Sequence, residues 1–219
     1  NDIVYMKTVK GPLRVDCIYR RLDDTFLDPK AFYKGSVIGV PGLFKAWRKG
    51  NVGILNAIGT GVADDKVVYS YVNKMIVYYL GEQPILNQVE TYLCHDKTQM
   101  DYVIDNISKL VVKPANASGG YGIMIGPKAP QKEREEVIAK IKKNPREFIA
   151  QPLEILSTAP TITKNDIEPR HLDLRQFVLS GKSTYVTTGG LTRVALRKGS
   201  TIVNSSQGGG SKDTLIVDI

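Results

Sequence analysis

The stretch of sequence that decides the fold is LVVKPANASGGYGIMIG, residues 110–126. An apolar strand ends in Lys113, a glycine-rich loop follows at residues 118–122, and a second apolar strand comes after the loop. Glycine lacks Cβ, so the backbone can turn its N–H groups toward an anion, while Lys113 adds a positive charge at the base of the loop. The pattern predicts a phosphate-binding hairpin. An ordinary β-hairpin with a glycine turn is the alternative that this motif alone leaves open.

The order of the parts excludes the commonest phosphate-binding motifs. A Walker loop needs its lysine after the glycines, and a dinucleotide-binding fold needs G-x-G-x-x-G at the start of a helix. Here the lysine comes before the glycines, and β-like sequence follows them. Protein kinases also have a lysine strand, but their glycine loop precedes it. The rest of the chain must therefore identify the type of site.

Composition points to a globular protein with an anionic partner. The 219 residues are 42% hydrophobic and carry a net charge of +8. The partner could be nucleic acid, a membrane surface or a phosphorylated small molecule. The basic cluster Lys140–Lys143 lies on a predicted amphipathic helix, which favours a small molecule. Because no apolar run approaches the roughly 20 residues that span a bilayer, we expect a cytoplasmic protein without membrane contact.

The first ninety residues show strand and helix patterns around charged loops. Apolar strands are predicted at residues 15–19 and 52–57, and the first delivers Arg20 and Arg21 into a loop. Residues 63–80 have a helical pattern, with Asp64 or Asp65 at its start and Lys66 in its first turn. One helix face would be buried, formed by Val67, Tyr71, Met75 and Tyr78. A cation in the first turn of a helix is unfavourable unless an anion faces it, which makes Lys66 a candidate anion ligand.

The remainder of the chain contributes further strands and cations. A helix is predicted at residues 131–143, and a strand from 148 runs into a hinge at Gln151. Residues 171–179 alternate so that Asp173 and Arg175 share one face of a strand. Arg193 lies in another predicted strand, residues 191–196, and a second glycine-rich loop occupies residues 205–212.

Taken in order, these residues resemble the pattern of the ATP-grasp superfamily over essentially the whole chain. The matching positions are Lys66, Lys113 with its glycine loop, Gln151, Asp173-x-Arg175, Arg193 and Asn204. Three longer strings narrow the resemblance: VDCIYRRLDD at 15–24, PRHLDLR at 169–175 and NSSQGGGSKD at 204–213. They resemble the circularly permuted ATP-grasp proteins, relatives of glutathionylspermidine synthetase.

The resemblance implies a fold, a reaction and a division into domains. The fold would be α+β/α/β, a circularly permuted ATP-grasp. It would have a Rossmann-like substrate-side subdomain at residues 1–90, a small ATP-grasp lobe at 91–155 and a large lobe at 156–219. The reaction would be ATP- and Mg²⁺-dependent joining of a small-molecule carboxylate to an amine or thiol, with an amide formed through an acylphosphate. No nucleic acid would take part, and the oligomeric state stays open.

The resemblance also implies roles for individual residues. ATP would be bound by Lys66, Lys113, Ser118, Gly119, Gly120, Tyr121, Gly122, Gln151 and Leu153, with the last two at the adenine. Arg175, Arg193 and Asn204 would be catalytic, acting on the transferring group, the acylphosphate and the triphosphate or its metal. Arg20 and Arg21 would hold the acidic substrate.

One departure from the family concerns the metal. Family members hold two Mg²⁺ ions with a Glu-x-Asn pair and an upstream acid, and this chain has no such pair. Glu154 and Glu168 lie near the proposed site but lack the spacing, so the metal ligands are not assigned. Since the chain starts at Asn1 without a methionine, we expect a fragment of a longer protein. A non-catalytic ATP-binding module and a nucleic-acid-binding protein are the two alternatives.

Overall fold

The computed structural model describes residues 2–117, 121–163, 166–201, 203 and 209–216. Two compact units divide the chain, Asn1–Leu86 and Asn87–Ile219. Short helices and small sheets are mixed in both units. This mixture agrees with the predicted α+β class.

The first unit contains two small sheets. Its strands are β1 (Tyr5–Thr8), β2 (Gly11–Arg14), β3 (Cys17–Tyr19) and β4 (Gly53–Leu55). An antiparallel hairpin joins β1 to β2, whereas β3 and β4 are parallel. Parallel strands need a crossover connection, and this one contains helices α1 (Asp24–Leu27) and α2 (Leu43–Arg48). Apolar side chains from the crossover and β4 form the core, namely Leu27, Leu43, Ala46, Val52 and Ile54.

The Rossmann-like subdomain predicted for residues 1–90 is not confirmed. Within residues 2–86 the parallel sheet has two strands, β3 and β4, whereas doubly wound folds build on a larger parallel sheet. The short apolar runs at residues 15–19 and 52–57 predicted the two strands correctly. They carried no information on how many further strands would join them.

The single helix predicted for residues 63–80 is wrong in its continuity. The structure has a 3₁₀ turn at Thr60–Asp64, then α3 (Lys66–Tyr69), α4 (Val72–Met75) and a π-helical turn at Ile76–Leu80. Asp65 has extended backbone, and its carboxylate accepts a hydrogen bond from Val67 N, so a new helix begins at Lys66. The aspartate cap was predicted. The breaks remove the continuous buried face, leaving Val67 buried and Tyr78 exposed.

The second unit begins with a four-stranded antiparallel sheet. Its strands are β5 (Tyr92–Leu93), β6 (Leu110–Pro114), β7 (Met124–Ile125) and β8 (Phe148–Pro152), in the spatial order β5-β8-β6-β7. Helices α5 (Lys97–Asp105) and α6 (Gln131–Lys143) accompany it. The apolar core is formed mainly by Val103, Ile107, Leu110, Val112, Met124, Ile141 and Ala150.

The predicted lysine hairpin is confirmed in the sheet. Val111 of β6 lies opposite Ile125 of β7. Directly after β7, Gly126 N donates to Leu110 O at 2.8 Å. A Cβ on Gly126 would lie 1.9 Å from Ile107 O, so only glycine fits this exit from the hairpin.

A second antiparallel sheet follows in the same unit. Its strands are β9 (Thr158–Ile162), β10 (Ile167–Ser180), β11 (Thr184–Val194) and β12 (Gly210–Asp213), in the order β12-β11-β10-β9. This sheet lies within the predicted large lobe and the first sheet within the predicted small lobe. Across the described residues, no helix is long and apolar enough to cross a membrane.

Candidate active site

A cavity of about 350 Å³ opens beside the lysine hairpin. Three residues predicted for nucleotide binding line it: Lys113, Gln151 and Leu153. The remaining wall is mostly apolar and consists of Val89, Val111, Ile123, Ile125, Pro152, Glu154, Leu156 and Thr201. Apolar walls with a few convergent polar groups are typical of small-molecule sites.

The sheet register explains why Lys113 and Gln151 meet. Val111 lies opposite Gln151 across β6 and β8, and Lys113 is two residues further along β6 on the same face. Diagonal neighbours of this kind are within reach of long side chains. Lys113 Nζ donates to Gln151 Oε1 at 2.6 Å, and Gln151 Nε2 donates to Thr91 Oγ1 at 2.8 Å.

This network bears on the predicted adenine contact of Gln151. Both ends of its amide have protein partners, and the residue is buried. These hydrogen bonds engage the side chain, whereas a hinge of this kind would offer backbone groups to the adenine edge. Adenine contact by Gln151 therefore stays a prediction, and the geometry favours a role in positioning Lys113.

The glycine-rich loop is described in part. Ser118, Gly119 and Gly120 lie outside the described residues, while Tyr121 is exposed and Gly122 has a φ of +72°. Glycine adopts a positive φ without strain, and this is the property that the glycine-rich motif was predicted to supply. The phosphate contacts of this loop stay a prediction.

The two predicted catalytic arginines share one face of the second sheet. Asp173 lies opposite Arg193 across β10 and β11, and Arg175 is two residues from Asp173 on the same strand. Arg175 donates to Asp173 Oδ2 at 3.1 Å, and this pair is partly exposed. The arrangement places the two arginines on either side of Asp173 in the sheet register, with Arg175 in contact with its carboxylate. Asn204, the third predicted catalytic residue, lies outside the described residues.

A hydrogen bond connects this second sheet to the cavity wall. His171 Nδ1 lies 2.7 Å from the backbone oxygen of Leu156, a wall residue. His171 has the same strand parity as Asp173 and Arg175. The arginine face is thus built on the strand that also contacts the wall of the cavity.

In the first unit, Arg20 is committed to the protein interior. It is 7% exposed, and its guanidinium donates to the backbone oxygens of Leu22, Asn56 and Ala57. It also forms an ion pair with Asp24. These contacts support a structural role. Arg20 also lines an open cleft, and its predicted contact with the substrate stays a prediction.

The neighbouring Arg21 differs from Arg20 in its exposure to solvent. It is exposed and lines an open cleft of about 610 Å³ together with Asp23, Asp24 and Asp64. Lys66 is half-buried at the first position of α3. Because Lys66 and Lys113 belong to different units, their predicted meeting at one triphosphate stays a prediction.

The metal ligands stay unassigned among the described residues. No group of three or more histidine, cysteine, aspartate or glutamate side chains with metal-binding geometry occurs among them. Glu168 bonds Arg170 at 2.5 Å and Lys198 at 3.2 Å, and these hydrogen bonds hold the pKa of its carboxyl below the usual range. Glu154 lies on the cavity wall without an acidic partner there.

Sequence reasoning missed two residues at this site. Thr91 bonds Gln151, and Thr201 lines the cavity although it is distant in sequence from the lysine hairpin. Neither belongs to a glycine-rich or charged motif. A lone threonine at a strand end carries no signal that could have identified it.

Comparison with known proteins identifies the family of this chain. The profile of circularly permuted ATP-grasp type 2 proteins matches residues 1–195, so the chain belongs to that family. An uncharacterized protein of Synechocystis is 55% identical over 97% of this chain and 44% of its own length. An uncharacterized protein of Mycobacterium tuberculosis is 54% identical over 98% of this chain and 39% of its own length.

A third relative has a functional name. A protein of Frankia casuarinae, named "Putative glutamate--cysteine ligase 2-2", is 50% identical over 99% of this chain but 25% of its own length. Three quarters of that protein therefore lie outside the match. The chain spans less than half the length of each of these relatives.

Proposed function

We propose that this chain is part of an ATP-dependent ligase that joins a carboxylate to an amine or thiol. The observation that carries the proposal is the cavity in which Lys113, Gln151 and Leu153 come together. Family membership supports ATP as the nucleotide, and the printed name of the Frankia relative supports ligase chemistry. A peptide-conjugate product, as in glutathionylspermidine synthetase, is the finer form of this proposal.

The proposed reaction has two steps. The carboxylate oxygen attacks the γ-phosphorus of ATP, the bond to the β-phosphate oxygen breaks, and ADP leaves. The amine nitrogen then attacks the acyl carbon of the acylphosphate and loses a proton. Inorganic phosphate departs with the electron pair of the C–O bond, and an amide remains.

The described residues suit these steps by position and charge. Phosphoryl transfer depends mainly on positioning and on neutralising the phosphate oxygens. Lys113 would meet a phosphate at the mouth of the cavity, where the apolar walls would hold the adenine and Leu153 its edge. Arg175 and Arg193 would stabilise negative charge on the transferring group, and Lys66 would add a second contact to the triphosphate.

Calorimetric titration with ADP tests the nucleotide site. Lys113→Met removes the ammonium group but keeps an apolar stem of similar length. We expect ADP affinity to fall about 10- to 100-fold, which corresponds to one charge-assisted hydrogen bond. Lys132→Met, on the exposed surface of α6, is the matched control and should bind ADP like the wild type. Unchanged affinity in Lys113→Met would reject the site.

A non-catalytic nucleotide-binding module is the second candidate function. It is favoured by Glu168, whose carboxylate is already engaged by two cations, and by the isolated position of Glu154. The two candidates differ in turnover. The full-length protein, incubated with ATP, Mg²⁺, amino acids and polyamines, should release ADP if it is a ligase and none if it is a binding module.

A further inference from the structure

We propose that Thr91 is a positioning residue that orients Lys113 through the side-chain amide of Gln151. The proposal deepens the proposed function and rests on it for the identity of the anion that Lys113 meets. Thr91 does not itself line the cavity, so it acts through its neighbour. Three hydrogen bonds in series carry the inference.

The direction of the series follows from elementary donor and acceptor chemistry. The backbone oxygen of Val89 can only accept, so the hydroxyl of Thr91, 3.0 Å away, donates its one proton to that oxygen. Thr91 Oγ1 can then only accept from Gln151, which presents Nε2 at 2.8 Å. With Nε2 fixed, Oε1 must face Lys113 Nζ at 2.6 Å. The hydroxyl and the ammonium thus select the same orientation of the amide, and the hydroxyl anchors its Nε2 end.

The amide orientation matters because Gln151 is 8% exposed. A buried amide needs a partner at each end, and rotation by half a turn would place its NH₂ group against the ammonium of Lys113. Two donors would then face each other, and Lys113 would lose the acceptor that holds its Nζ. Without the Thr91 hydroxyl, neither amide orientation satisfies both ends.

The three side chains of the series lie on or directly beside three adjacent strands. Thr91 directly precedes β5, Gln151 lies on β8 and Lys113 lies on β6, and these strands are adjacent in the sheet. The rigid sheet therefore sets the distances along the series. A side chain outside the cavity can fix the direction of an ammonium group inside it.

The first test measures Lys113 without any nucleotide. Thr91→Val removes the hydroxyl at nearly constant volume, and Thr91→Ser keeps it. Mass spectrometry follows the acetylation of each lysine by acetic anhydride, with exposed Lys109 as the internal standard. We expect Lys113 to react about fivefold faster in Thr91→Val, the effect of one lost hydrogen bond, and at the wild-type rate in Thr91→Ser. Equal rates in all three proteins would overturn the proposal.

The second test compares ADP with adenosine by calorimetry. Because Lys113 would meet a phosphate, Thr91→Val should weaken ADP binding about fivefold and leave adenosine binding unchanged. Thr91→Ala serves the same comparison if the valine variant does not fold. An equal loss for both ligands would indicate general damage to the cavity and would overturn a positioning role.

The two tests distinguish a failure of the proposed nucleotide site from a failure of the positioning role of Thr91. If wild-type protein does not bind ADP while Lys113 acetylation still responds to Thr91→Val, the proposed nucleotide site fails and the positioning role stands. If ADP binds the wild type and neither measurement responds to Thr91→Val, the positioning role fails and the nucleotide site stands. In the double variant Thr91→Val, Lys113→Met, ADP affinity should equal that of Lys113→Met, because the threonine acts only through the lysine.

Discussion

Arg20 in the first unit and Lys113 in the second are both cations beside short strands, yet their surroundings differ completely. Arg20 is buried, and three backbone oxygens and the Asp24 carboxylate use its donors. Lys113 is half-buried, lines a cavity and is held by the amide of Gln151. The first environment holds a loop together, and the second keeps a charged group at the wall of a cavity.

The difference shows that charge within a motif does not by itself identify a binding residue. Arg20 and the exposed Arg21 are adjacent in sequence, and both were predicted to hold an acidic substrate. The structure gives only Arg21 an exposed position in a cleft. Burial and the number of internal acceptors separate a structural cation from a candidate ligand-binding one.

The substitution Arg20→Met tests this comparison with the largest expected effect. The substitution leaves the Asp24 carboxylate and three backbone oxygens without their donor, so we expect unfolding to become easier by about 3–5 kcal/mol. Urea denaturation followed by circular dichroism measures the change. Lys113→Met is the paired comparison, and it should lose only about 1–3 kcal/mol, because it removes one donor from the buried Gln151 amide. Similar losses in the two variants would refute the distinction.

Asp28 extends the comparison to a buried anion of the first unit. Burial by itself raises the pKa of its carboxyl. The hydrogen bonds from the backbone N–H groups of Gly42, Lys30 and Phe44 outweigh that effect and hold the pKa below its ordinary value. Asp28→Asn replaces one acceptor oxygen with a donor. We expect a loss of about 1–3 kcal/mol at neutral pH.

The pH dependence of this loss follows from the direction of the shift. A carboxyl with a lowered pKa stabilises the fold above its unfolded pKa, about 3.9, and loses that contribution as pH falls through the folded value. The gap between wild type and Asp28→Asn should therefore narrow below about pH 4. Asp16→Asn is the control, since Asp16 pairs with Arg14 in an exposed setting. A gap that is constant with pH would show that the carboxylate charge is unimportant.

The smallest effect is expected at Arg175. Its ion pair with Asp173 is half-exposed on the arginine side, and such pairs contribute about 0–1 kcal/mol. Arg175→Gln should therefore unfold at nearly the wild-type urea concentration. Arg170→Gln, on the same strand but with its guanidinium buried against Glu168 and the backbone oxygen of Leu196, should lose more stability. A larger loss of stability in Arg175→Gln than in Arg170→Gln would show that exposure does not distinguish structural arginines from ligand-accessible ones in β10.

Local patterns predicted much of the fold. The lysine hairpin, the helix at residues 131–143 and the strand at 148 follow from periodicity and from Gly and Pro punctuation, which act over a few residues. The broken helix after residue 63 was missed because Asp65 both caps a helix and interrupts one. The size of the parallel sheet was missed because strand count depends on tertiary pairing.

The candidate site was predictable where residues carry charge, lie in a glycine-rich motif or match the order of parts in the family that the sequence resembles. Lys113, Gln151 and Leu153 line one cavity, and Arg175 and Arg193 share one sheet face, as their order in the sequence suggested. The hydrogen-bond partners of these residues could not be predicted from the sequence. The engagement of Arg20 by distant backbone oxygens and the link from Gln151 to Thr91, 60 residues away, are set by the folded chain alone.

The ion pair between Asp173 and Arg175 has a consequence for ligand choice. Its carboxylate is a tethered counter-ion, so a stray phosphate from solution must compete with an anion that never diffuses away. A phosphoryl group delivered by a neighbouring bound nucleotide arrives at a far higher effective concentration. In the proposed ligase, this ion pair would favour phosphoryl transfer between bound partners over inhibition by free anions.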